Sequence, residues 1–144
     1  MLLTGGGGQE RLHTVLQCDP GSVLRLVQTL LTIGDQCGPV VLAVERFIVA
    51  MRSSRLSTPR AAATTRDMVG AVTALGRELP GVSVVQRCAA EVMPWASDKR
   101  LTAAGLYDIT RAMPHARAAA RHALFAAVRD CGLPDPLSAK ARAT

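Results

Sequence analysis

The chain has 144 residues, about one domain's worth, and its 49% hydrophobic content excludes a disordered polyelectrolyte. No apolar run approaches the roughly 20 residues that cross a bilayer, so no membrane partner is expected. A formal net charge of +6 and a pI near 9.9 suit a polyanionic partner, and 15 of the 17 basic residues are arginine, whose planar fork matches phosphate.

The opening residues read as a hairpin: a strand at Met1 to Thr4, a turn at Gly5 to Gly8, and a second strand at Arg11 to Gln17. The glycines lack the Gly-Lys-Ser/Thr of a phosphate-binding Walker loop, so a turn is the expected use. The same opening lacks the basic and long apolar regions of a secretory signal, which makes the cytoplasm the expected location. Cys18, Cys37, Cys88 and Cys131 form no Cys-x-x-Cys pair and read as reduced, buried thiols.

Asp19-Pro20-Gly21-Ser22 has the look of a catalytic strand end, but Val23, Leu24, Leu26, Val27, Leu30 and Leu31 follow at helical spacing. Asp19 or Ser22 therefore reads as the cap of a helix running to about Ile33. Gly34 to Pro39 break it and lead into Val40-Val41-Leu42-Ala43-Val44-Glu45, giving a β-α-β unit with a parallel connection. Five consecutive apolar residues suit a strand buried on both faces. A carboxylate at its end needs a partner or a metal, and ligands of open α/β sheets gather at the carboxyl ends of strands.

Beyond Glu45 the chain turns basic, with Arg46, Arg52, Arg55, Arg60 and Arg66 interleaved with Ser53, Ser54, Ser57, Thr58, Thr64 and Thr65. This composition suits contacts to a phosphate backbone; a solvated loop is the plainer alternative. A helix is expected from about Arg60 to Leu79, with Met68, Val69, Val72 and Leu75 on one face, ended by Pro80-Gly81. Val82 to Gln86 is a further strand. Trp95, the sole tryptophan, reads as a packing residue, Lys99 and Arg100 as added phosphate contacts, and Leu101 to Thr110 as a short helix. Pro114 to Val128 is Ala-rich with proline at its start, a helix that carries His115 in its first turn and His122 two turns later on nearly the same face. Residues 138–144 read as a basic tail.

Strand-Glu45, the arginine segment, Pro94-Trp95-Ala96-Ser97-Asp98-Lys99-Arg100-Leu101 and the helix opening at His115 together resemble the RuvC-like Holliday junction resolvases of the RNase H-like superfamily, particularly short phage and actinobacterial versions. The resemblance spans about residues 10 to 137 and implies one α/β domain over 1–137, an RNase H-like mixed sheet flanked by helices. It further implies a homodimer acting on branched or duplex DNA, with Mg²⁺ held by acidic groups that activate water for phosphodiester cleavage. Within it Glu45 matches the fourth-strand carboxylate and His115 the first ligand of the final helix; the position of the second helix ligand, an aspartate in the family, is occupied by Ala118. The hairpin corresponds to the second and third strands, so the first, Asp-bearing strand is missing and would lie upstream of Met1. Taking Asp19 as that aspartate would omit a whole hairpin.

Losing a carboxylate worth several kcal/mol of transition-state stabilisation slows cleavage by ~10³ or more. The resemblance therefore implies a structure-selective DNA endonuclease that is inactive or impaired as the sequence stands. The alternative is a non-catalytic DNA-binding module that keeps Arg46, Arg52, Arg55, Arg60, Arg66, Lys99 and Arg100 and has lost the metal site. A third reading is a small α/β domain in which Glu45 only pairs with an arginine.

Overall fold

A computed structural model describes residues 2–3, 13–14, 16, 18–46 and 59–138. Its elements in chain order are strands β1 (Leu2–Leu3) and β2 (His13–Thr14), helix α1 (Val23–Cys37), strand β3 (Val40–Glu45), helix α2 (Pro59–Glu78), strand β4 (Val82–Arg87), helices α3 (Ala89–Val92) and α4 (Asp98–Ala103), a 3-10 turn (Asp108–Thr110) and helix α5 (Pro114–Arg129). They group into two compact units, Cys18–Cys88 and Met1–Gln17 with Ala89–Thr144. Among the described residues no helix is long and apolar enough to cross a membrane.

The expected hairpin is present where it is described: β1 and β2 pair antiparallel, Leu2 opposite Thr14 and Leu3 opposite His13. The expected Gly5 to Gly8 turn lies outside the described residues, as do Arg52 and Arg55 and the tail from 139.

In the Cys18–Cys88 unit, Val23, Leu26, Val27, Leu30, Leu31 and Gly34 are the covered positions of α1, the i, i+3, i+4, i+7 pattern of an amphipathic helix. Asp19 starts this helix: its Oδ1 accepts from the Ser22 backbone N–H at 3.1 Å and its Oδ2 from the Ser22 hydroxyl at 2.7 Å. That hydroxyl bond, first among its causes, holds the Asp19 carboxyl below its usual range. Ser22 stands at the cap position but spends its hydroxyl on Asp19 rather than on the helix. The helix passes the expected stop at Ile33 and ends at Cys37, because the break is made by Gly38 at φ 132°, a conformation costly for any residue with a Cβ, followed by Pro39.

The parallel pair is β3 with β4, in register from Val40↔Val82 to Glu45↔Arg87, with α2 as the crossover. The sequence placed the parallel connection one helix earlier, between the Arg11 strand and the Val40 strand. In the structure β2 pairs with β1, and the described strands form two separate two-stranded ladders rather than one mixed sheet. The supported class is a small α/β fold with its parallel ladder packed against helices.

Helix α2 sits close on this ladder. A Cβ added at Gly76 would lie 2.6 Å from Leu42 Cδ2 and 2.8 Å from Val84 Cγ2, whereas one at Gly70 meets nothing within 4 Å. Thr73 is also buried there and accepts a 2.8 Å bond at Oγ1 from Gln86 Nε2. Gly70→Ala is therefore expected to stabilise the protein by about 0.5–1 kcal/mol through helix propensity and a less flexible unfolded chain. Gly76→Ala should destabilise it by about 1–3 kcal/mol through overpacking. Chemical denaturation of the two variants checks the opposite signs, and equal shifts would rule out this close approach.

The second unit centres on Leu101, Leu106, Ala120 and Leu124, with Trp95, Ala104, Tyr107 and Val128 packed around them. Each buried leucine there contributes about 1.5–3 kcal/mol. Pro114 opens α5 as expected, and alanines at 116, 120, 126 and 127 fill its buried face. The helix expected over 101–110 starts earlier, because the Ser97 hydroxyl accepts from the Arg100 backbone N–H. It also stops earlier: the chain turns at Gly105, φ 72°, and resumes as the 3-10 turn.

Candidate functional site

Parallel pairing brings the carboxyl ends of β3 and β4 together, so Glu45 stands in register with Arg87. The Arg46 backbone N–H closes this end with a 2.8 Å bond to the Arg87 carbonyl. Opposite charges at paired positions of adjacent strands stabilise a sheet by a few tenths to 1 kcal/mol. The structure thus supplies Glu45 with an arginine neighbour that the local sequence does not reveal, since Arg87 lies 42 positions away. Glu45 itself is exposed at the strand end.

From this end the chain enters the basic segment. Residues 46–66 contain five arginines and no acidic residue, so they carry +5 of the chain's formal +6. Every other part of the protein together is nearly neutral. Arg46, Arg60 and Arg66 are described and exposed. As the crossover helix, α2 starts on the side of the β3 carboxyl end and returns toward the start of β4. Its Thr73 is level with Gln86, the next-to-last residue of β4. At 1.5 Å per residue, Arg66 and Arg60 lie about 10 and about 20 Å further along the axis, beyond the carboxyl ends of the strands. Six residues apart, they point about 120° from each other around the helix, so they address a rounded surface better than a flat one.

The electrostatics of that overhang are one-signed. The first turn of α2 holds Arg60 and no acidic residue, which adds a cation to the positive end of the helix dipole. This is unfavourable for the helix alone and becomes favourable when an anion is present. A groove of about 500 Å³ between α1 and α2 is lined by Leu24, Arg25, Leu75 and Glu78 among others. It is built on the half of α2 that covers the sheet, not on the arginine half.

The remaining predicted site residues fall in the other unit. His115 is exposed in the first turn of α5 and Ala118 half-buried one turn on. His122, on nearly the same helical face as His115, is buried at 4% exposure, so that face passes from solvent into the core within two turns. Lys99 is exposed. Arg100 is committed inward: its guanidinium bonds both carboxylate oxygens of Asp135 and the Trp95 carbonyl, and lies 4.5 Å from the Trp95 ring centroid. The same pair holds the Asp135 carboxyl below its usual range. Trp95 packs as expected, edge-on to Phe125 with ring centroids 5.3 Å apart.

Among the described residues no group of three or more His, Cys, Asp or Glu side chains is placed to hold a metal ion. Glu45 and His115 belong to different units. Comparison with protein-family models, curated proteins and solved structures finds no match for this chain.

Proposed function

We propose that this protein binds DNA through its phosphate backbone, using Arg46, Arg52, Arg55, Arg60 and Arg66, the basic segment that follows Glu45 in the sequence, with Lys99 as a further contact. The observation that carries this reading is the concentration of +5 in 21 residues without a single carboxylate. Neutralising phosphates with arginine releases condensed counterions, so the binding constant falls with salt with a slope of about −0.9 per phosphate on duplex DNA. Five contacts correspond to a slope of about −4.5. Titrating a labelled four-way junction and a matching duplex between 50 and 200 mM salt tests this; binding that is absent, or indifferent to salt, overturns it.

The sequence resemblance extends the reading to a RuvC-like resolvase with an impaired site. Its support is the residue pattern of strand-Glu45, the arginine segment and the helix opening at His115. In this reading Glu45 and His115 are the remaining metal ligands, Ala118 replaces a third, and the DNA-bound form is a homodimer. Among the described residues no group of three or more His, Cys, Asp or Glu side chains offers a Mg²⁺ site, so no cleavage step is derived through a metal. Joining an Asp-bearing strand upstream and introducing Ala118→Asp should produce Mg²⁺-dependent nicking of four-way junctions. A repaired protein that folds and binds junctions without nicking them would refute the resolvase extension and leave DNA binding standing.

A further inference from the structure

We draw no further inference here: the strongest candidate, the outer edge of the Val40–Glu45 strand, whose five consecutive apolar residues suit an interior position, carries nothing because nothing in the structure shows what covers it.

Discussion

Replacing Arg100 with alanine is expected to destabilise the unit containing residues 89–138 by about 2–3 kcal/mol, the range for losing charge-assisted hydrogen bonds at a partly buried site. Three contacts to Asp135, at 3.1, 3.1 and 2.9 Å, and one to the Trp95 carbonyl at 3.0 Å disappear together. The two side chains are only 23% and 28% exposed. The substitution therefore leaves the Asp135 carboxylate and the Trp95 carbonyl without these donors. Arg100 also covers the Trp95 ring, a cation–π contact worth about 0.5–1 kcal/mol at such a site. Arg100→Lys keeps the charge but not the fork, and should fall between wild type and alanine.

Acid provides a second readout of the same pair. The folded-state pKa of Asp135 is lowered from its ordinary value of 3.8, chiefly by the hydrogen bonds from Arg100. Its contribution is therefore fully present above that ordinary value and is lost as pH falls through the lower folded-state value. The stability gap between wild type and Arg100→Ala should be constant from neutral pH to about pH 5 and should narrow below pH 4. Urea unfolding followed by the fluorescence of Trp95 measures both effects. A gap below 0.5 kcal/mol, or one that stays constant into strong acid, would show that the clamp does not hold this unit together.

Features that depend on neighbours in sequence were legible before the fold was known. The proline and alanines of 114–128 specify α5, the Val40–Glu45 run specifies a strand, and the Asp19–Ser22 turn marks where α1 begins. What escaped the sequence depends on distant partners. The apolar pattern of Val82 to Gln86 announces a strand, but only strand pairing sets Arg87 beside Glu45, and the position of a crossover cannot be read from either strand alone. Arg100 and Lys99 look interchangeable in Asp98-Lys99-Arg100, yet a helix turns about 100° per residue. One points to solvent, while the other meets Asp135, 35 positions on. The sequence pattern extends the helix across 101–110 for a similar reason, since Gly105 interrupts it through a backbone conformation rather than through a change in hydrophobic pattern. Of the candidate site, the arginine segment was legible because its signal is compositional. The surroundings of Glu45 and the contrasting burial of His115 and His122 were not.

Converting Arg46, Arg52, Arg55, Arg60 and Arg66 together to glutamine is expected to have the largest functional effect in the protein. A slope of about −4.5 means that raising salt from 50 to 200 mM weakens wild-type binding about 500-fold. The five-fold variant should bind junction DNA at least ~10³-fold more weakly at 50 mM salt and lose nearly all of that salt dependence. Gln replaces the charge with a neutral polar group of moderate length, and Arg60 and Arg66 are exposed positions on a long helix, so the melting temperature should change little. Arg60→Gln with Arg66→Gln alone should reduce the steepness of the slope by about 1.8, two phosphates' share. The decisive comparison is with Arg25, Arg77 and Arg111, which are exposed like Arg46, Arg60 and Arg66 but lie outside the segment. Charge acts over a Debye length of only about 8 Å at physiological salt, so neutralising these three should alter the slope by less than one unit, even though the net charge falls by three. If the two sets of substitutions weaken binding equally per charge removed, the protein attracts DNA by its overall charge, and the segment beyond Glu45 is not an interface.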